Sequence, residues 1–462
     1  MLVWANNHPI NEIFMIKTGL TLTGLLGLAT LMPSEKPTPI PSIESKCSLI
    51  WKAEIGKTSF RTNVVFKGDR IWIGSNGESF MDRGAIEPGS GVYELDRRTG
   101  KRVRHFANEI FGDMDVNGIL YHRDRLYFGN DNEEFLCTDL QGKIRWRNPT
   151  SGDIEHEPSL LQTKNGSAII YATEAGEVKA VNPDDGKIRW SYYVREFDGW
   201  KPGDNRTVFK VKAWFSNTGF FYTRPLIVDV NADGVNDLIY RTYSGNLLAL
   251  DGNSGSLIWS IKEDYGMSIG FAVLGRGKQK KIVALKSIET DTVRHEISFY
   301  SLKGQKLRSI AISDESWNGG LNAYSINEDQ ILLNSRTKTY RIDFNGGLTE
   351  IDRSMPFKYT SWNNELVDGY RNSGNALFAD GFIPLSNNKK AIVVLNQQDN
   401  GDTNVGFLEI LSVEDGRILD RLSVQSGGEM PPVIKDVDLD GDLDLLFAGY
   451  DGYLYCYQLP KY

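Results

Sequence analysis

From residue 48 to the C-terminus, short runs rich in apolar and β-branched residues alternate with polar clusters that end in glycine. Such runs, bounded by Gly, Asn and Asp, predict β-strands joined by tight turns rather than helices. The unit is strand, turn, strand. It reads GVYELDRRTGKRVRHF at 91–106, EEFLCTDLQGKIRW at 133–146, GEVKAVNPDDGKIRW at 176–190 and GNLLALDGNSGSLIW at 245–259. It continues as EISFYSLKGQKLRSI at 296–310, TKTYRIDFNGGLTEI at 337–351 and GFLEILSVEDGRILDRL at 406–422. The turn glycines are Gly100, Gly142, Gly186, Gly255, Gly304, Gly346 and Gly416, spaced by 42, 44, 69, 49, 42 and 70 residues. A period in the low forties, with two enlarged units, predicts the four-stranded blade of a β-propeller.

Seven such units leave two loose ends that complement each other. The C-terminal PPVIKDVDLDGDLDLLFAGYDGYLYCYQL supplies three strands and no closing turn, while SLIWKAEI at 48–55 resembles an orphan fourth strand. Pairing them predicts an all-β fold: a single eight-bladed propeller of four-stranded antiparallel blades over 48–462. The N- and C-terminal strands then share one blade, which leaves no open end to the ring.

Composition agrees with this. The 462 residues are 40% hydrophobic and include 46 glycines but 16 prolines, which suits many short strands. A net charge of −8 with no basic stripe argues against nucleic acid as a partner. Cys47, Cys137 and Cys456 are far apart and form no CxxC, so no disulfide framework is expected.

Residues 1–32 read as an export signal or N-terminal anchor. Lys17 precedes an apolar stretch through Met32, and Met15 is an alternative start. The stretch 33–47 carries Pro33, Pro37, Pro39 and Pro41 and reads as an extended linker. An exported body in the periplasm, at the cell surface or secreted is the expectation, with the N-terminal segment as a membrane tether.

Two acidic loops carry the clearest chemistry. DVDLDGDLD offers Asp436, Asp438 and Asp440, a glycine at 441, the carbonyl of Asp442, and Asp444. DVNADGVND repeats this as Asp229, Asn231, Asp233, Gly234, the carbonyl of Val235, and Asp237. Alternate side chains across a tight loop converge on one centre, and hard oxygen donors in that number suit Ca²⁺. Two Ca²⁺ sites are therefore expected. DMDVNG at 113–118 opens in the same way but has Tyr121 in place of the last carboxylate, and is not counted as a third.

The G-x-x-x-A-L-D-x-x-[TS]-G-x-x-x-W unit, clearest at 245–259, resembles the repeat of quinoprotein (pyrroloquinoline-quinone-type) propellers. The aspartate-rich hairpins resemble the FG-GAP repeats of integrin-like propellers. The second resemblance implies that each calcium loop joins the first and second strands of a blade, staples that hairpin, and lies opposite the ligand-binding face. Trp51, Trp146, Trp190 and Trp259, fixed on outer strands, are expected to pack between blades rather than to stack on a quinone.

The long extra segments map to the other face: 77–90, 191–222, 286–295, 352–375 and 396–404. Elaborating one side of a rigid ring is how a scaffold gains a binding surface. Trp200, Arg206 and Trp214, with Trp362 and Tyr370 from the second insertion, are the expected anchors for a protein or glycan partner. A self-packed cap over the channel is the competing reading of 191–222.

No catalytic constellation emerges. His105, His122, His156 and His295 are scattered and read as surface positions, and no HExxH, GxSxG or phosphate loop occurs. The leading reading is a calcium-stabilised binding or scaffold module. A quinone-dependent dehydrogenase or a calcium-containing polysaccharide lyase is the enzymatic alternative. The quinone reading lacks the vicinal disulfide and CxxCH that its resemblance would bring. A third reading is an outer-membrane assembly factor resembling the repeat-propeller lipoprotein, for which no lipid-attachment cysteine is evident.

Overall fold

The computed structural model describes residues 45–59, 61–78, 89–106, 115–194, 224–242, 246–261, 271–289, 293–312, 323–334, 338–352, 358–360, 366–368, 377–378, 381–399, 404–424, 427–428 and 430–462. The strands form eight antiparallel blades in a ring. Blade 1 consists of Val64–Lys67, Arg70–Asn76, Ser90–Asp96 and Arg102–His105. Blade 2 runs from Ile119–His122 to Ile144–Pro149, blade 3 from Ser159–Thr163 to Ile188–Tyr193, and blade 4 from Leu226–Val228 to Leu257–Ile261. Blade 5 runs from Phe271–Leu274 to Lys306–Ile312 and blade 6 from Ala323–Asn327 to Leu348–Asp352. Blade 7 ends in Ile418–Val424, and its innermost position is split between Leu377–Phe378 and Ile383–Pro384, both paired with Lys390–Asp399.

Blade 8 joins the two ends of the chain as expected. Val433–Lys435, Asp444–Ala448 and Tyr453–Gln458 are completed by the N-terminal strand Ser48–Glu54, antiparallel to the last of them with Ser48 opposite Gln458 and Glu54 opposite Tyr453. Beyond that strand, the carboxylate of Asp420 on blade 7 accepts hydrogen bonds from the Lys46 amide (3.0 Å) and the Tyr462 hydroxyl (3.0 Å). The segment that leads into the closing strand and the C-terminal residue are thus fastened to one buried acceptor.

The core lies between blades. Second and third strands are mostly buried, as in Glu177–Val181 and Asp237–Arg241, whereas a fourth strand such as Ile188–Tyr193 buries only Trp190. One apolar cluster joins Ile170 and Val178 of blade 3 to Leu238 and Leu248 of blade 4. Another joins Leu446 and Leu454 of blade 8 to Ile71 and Leu95 of blade 1.

The outer-strand tryptophans complete four of the seams. The indole N–H of Trp51, Trp146, Trp190 and Trp259 donates to the carbonyl of Arg97, Pro183, Gly252 and Leu302 respectively, in the last turn of the following blade. Each ring covers that turn's glycine. Phe106 does the same over Gly142, and Arg308 reaches the Asn345 carbonyl at 2.8 Å. Inter-blade packing is therefore what these residues do.

Candidate functional site

The two acidic loops occupy the same place in their blades. Residues 229–237 join the first and second strands of blade 4, and 436–444 join those of blade 8. Their backbones follow one path, with left-handed residues at Ala232 (φ 63°) and Gly234 (φ 84°) in the first, and at Leu439 (φ 68°) and Gly441 (φ 95°) in the second. The same hydrogen bonds recur. Asp436 Oδ2 accepts from Gly441 N (3.2 Å), Asp438 Oδ1 from Asp440 N (3.1 Å), Asp440 Oδ1 from Asp442 N (2.8 Å), and Asp444 Oδ2 from Val437 N (2.7 Å). The counterparts are Asp229 with Gly234 N (3.0 Å), Asn231 with Asp233 N (2.9 Å), Asp233 with Val235 N (2.9 Å) and Asp237 with Val230 N (2.8 Å).

The loops differ in what is left for a cation. In blade 8, Asp436, Asp438 and Asp444 bring carboxylate oxygens within 4.8 Å of one another. Buried Oδ1 atoms of Asp436 and Asp444 have no hydrogen-bond partner among the described residues. Asp444 is fully buried, and burial pushes its carboxyl up to about 6. Burial also raises Asp438, and the neighbouring carboxylates of Asp440 and Asp436 add to the rise. Orphaned buried oxygens among like charges are costly unless a cation satisfies them. The donor set is entirely hard oxygen, which fits Ca²⁺.

In blade 4, Asp229 Oδ1 is likewise buried without a partner, but Asn231 is neutral and Asp233 pairs with Lys164 at 3.0 Å. Asp237 Oδ1 accepts from Gly252 N at 3.0 Å. That donor comes from the turn between the third and fourth strands, and a Cβ on Gly252 would collide with the Asn236 carbonyl. Blade 8 has no such turn, because its fourth strand is the N-terminal one. Closing the ring with the chain ends is therefore what leaves Asp444 Oδ1 open, a difference that two near-identical motifs do not reveal.

The stretch at 113–118 has another role. Its described residues connect blade 1 to blade 2, where Asp115 accepts from Asn76 (2.9 Å). Asn117 accepts from Ser59 (2.6 Å) and donates to Glu155 (3.0 Å), and Glu155 also pairs with Arg61 at 2.5 Å. Three successive blade-to-blade connections are thereby cross-linked on the face away from the acidic loops.

The strand ends that flank the extra segments lie on that face. Antiparallel order places the first-to-second and third-to-fourth turns on one side, and the second-to-third and blade-to-blade connections on the other. The segments expected as loops at 286–295 and 396–404 are in fact long hairpins, Lys281–Glu289 with Val293–Ser301 and Lys390–Asp399 with Asn404–Ser412, because strand pairing runs on past the blade. Trp200, Arg206, Trp214, Trp362 and Tyr370 lie outside the described residues. On that side the first strands of blades 2, 3 and 4 line a hollow of about 400 Å³ with Leu120, Leu160, Leu226 and Ile227, where Arg224 pairs with Glu157 at 3.2 Å.

The histidines are not all at the surface. His156 is buried, its Nδ1 near the Glu157 carbonyl (2.9 Å) and its Nε2 without a partner, and burial holds it near 4, well below the usual imidazole value. Its position after blade 2 in a polar-looking DIEHE gave no sign of this. His105 stacks on Tyr93 with ring centroids 4.1 Å apart.

Residues 88–270 match the family described as outer membrane protein assembly factor BamB. A curated protein of that name from Yersinia pestis is 23% identical over 329 residues, covering 58% of this chain and 77% of the relative. Its namesake from Shewanella oneidensis is 22% identical over 223 residues, covering 42% of this chain and 50% of the relative. Among solved structures, a quinohemoprotein alcohol dehydrogenase from Pseudomonas putida HK5 superposes with a TM-score of 0.51 at 12% identity, covering 90% of this chain and 76% of that one. At that identity the likeness is one of fold. The chain is an eight-bladed β-propeller in which residues 88–270 are similar to the repeats of BamB.

Proposed function

We propose that this protein is an exported scaffold of the cell envelope that holds a protein partner on its elaborated face and serves in outer-membrane protein assembly. The observation that carries the reading is the match of residues 88–270 to the assembly-factor repeat. The hairpins that run on past their blades on one face, Lys281–Glu289 with Val293–Ser301 and Lys390–Asp399 with Asn404–Ser412, support it. Trp200, Arg206 and Trp214 would anchor the partner, with Trp362 and Tyr370 contributing less, since aromatic and arginine side chains concentrate interface energy. A glycan is the alternative occupant. Residues 1–32, with the 33–47 linker, would export the body and tether it to the membrane.

Two Ca²⁺ ions would brace the opposite face. One would be held by Asp436, Asp438, Asp440, Asp444 and the Asp442 carbonyl. The other would be held by Asp229, Asn231, Asp233, Asp237 and the Val235 carbonyl. A bound cation neutralises carboxylates that otherwise repel across the loop, so its contribution is to the frame. The quinone-dependent dehydrogenase reading draws support from a shared fold alone.

The test is cross-linking in intact envelopes followed by identification of the captured protein. An outer-membrane assembly protein is expected, and Trp200→Ala should weaken its binding by about tenfold or more while the melting temperature stays within about 2 °C. Unfolding of Trp200→Ala and Trp214→Ala, with unchanged affinity in the folded fraction, would instead make the insertion a packed cap.

A further inference from the structure

Arg97 follows the third strand of blade 1, three residues before the turn glycine Gly100, and its side chain is buried. The guanidinium donates to three carbonyls: Nε to Val437 (2.9 Å), Nη2 to Asp436 (2.6 Å) and Nη1 to Gly68 (2.8 Å). Its own carbonyl accepts the indole N–H of Trp51 (2.9 Å), on the N-terminal strand. One residue of the first blade thus holds the acidic loop of the last blade through its side chain, and the strand that closes the ring through its main chain. The face of Phe66 in blade 1 receives both Arg97 (5.2 Å) and Lys435 (4.5 Å), adding a second tie across the seam.

The peptide groups at the start of the loop are gripped from both sides. Arg97 takes the carbonyls of Asp436 and Val437, while the buried Asp444 carboxylate takes the amides of Val437 (2.7 Å) and Asp438 (3.2 Å). Among the described residues Arg97 has no ion pair, and a buried guanidinium is costly without nearby negative charge. Its donors go instead to the main-chain carbonyls of the acidic loop and of Gly68. Blade 4 lacks the arrangement: the matching residue of blade 5 is Leu302, whose carbonyl likewise accepts an indole N–H, from Trp259 at 2.8 Å, but whose apolar side chain packs in the cluster between blades 4 and 5 and offers no donor.

We propose that Arg97 makes the 436–444 loop a cation-dependent latch on the seam where the ring closes. Loading the loop fixes the Asp436 and Val437 carbonyls, and Arg97 passes that order to Ser48–Glu54. This rests on the calcium reading of the loop, supported by the fully buried, unpartnered Asp444 Oδ1. Coupling of this kind is reciprocal, so Arg97 also tightens the cation.

The experiment is amide hydrogen exchange on the full chain with Ca²⁺ or with chelator. Calcium should slow exchange about tenfold both in 433–448 and in Ser48–Glu54. In Arg97→Met the first effect persists, the second is lost, and calorimetric titration shows calcium bound several-fold more weakly. Asp438→Asn, which leaves the Arg97 bonds intact, covers the case in which Arg97→Met does not fold; there Ser48–Glu54 should exchange at the metal-free rate with or without calcium. Slowing confined to 433–448 in the native chain, equal slowing of Ser48–Glu54 in Arg97→Met, or faster exchange with calcium overturns the latch alone. No calcium binding at all overturns the latch together with the calcium reading.

Discussion

Gly186 lies directly under the indole of Trp146, one blade away: a Cβ on Gly186 would come within 2.7 Å of the ring, and its φ of 70° is already left-handed. Two independent demands therefore meet at one residue. Gly186→Ala should cost about 2–4 kcal/mol, from the left-handed backbone and the overpacked seam together. Gly166→Ala, at φ 88° with nothing within 4 Å, should cost only the backbone share, about 1–2 kcal/mol. Urea unfolding midpoints of the two variants check the difference, and equal losses would show that the ring does not constrain the turn.

Ring closure predicts a sharp boundary at the N-terminus. Beginning the chain at Ser45 keeps the Lys46 amide on Asp420 and should leave solubility unchanged. Beginning it at Gly56 removes the partner of Tyr453–Gln458 and uncovers an apolar strand edge, which should drive self-association. Light scattering of the two truncated proteins distinguishes the outcomes.

His156 predicts an acid-sensitive fold. Burial, aided by the charges of Arg224 and Arg61, lowers its folded-state value to about 4 from an unfolded value near 6.5. The unfolded chain therefore binds the extra proton between those limits. Stability from a neutral His156 is fully present above about pH 6.5 and falls as the pH drops toward 4, by up to about 3 kcal/mol. His156→Gln should flatten that part of the stability profile in denaturant titrations from pH 7 to pH 4.5. An unchanged slope would mean that His156 is accessible to protons in the folded state.

The features legible in the sequence are those that repeat. Gly100, Gly186 and Gly255 mark their turns because each unit needs the same left-handed residue, and Trp190 stands four residues after its turn glycine for the same reason. Ring closure was legible because SLIW copies the end of a complete unit. Arg97 was not legible because its partner Asp436 is 339 residues away and, among the described residues, no other blade repeats the pair. Asp420 stands where other blades have tryptophan, four after Gly416, yet its role depends on both chain ends arriving there. The two acidic loops share one motif, with Asn231 in place of Asp438, and the Lys164 pair of blade 4 and the missing turn of blade 8 separate them further.

The account rests most heavily on the cation at 436–444 being part of the frame. Its most direct test is the melting temperature of the purified protein in Ca²⁺ and in chelator, alongside Asp444→Asn. A ligand that binds only the folded state at a hundredfold excess over Kd adds about 2.7 kcal/mol, so calcium should raise the melting temperature by several degrees and Asp444→Asn should lose most of that gain. Identical melting in calcium and chelator, with no metal in the purified protein, would contradict it.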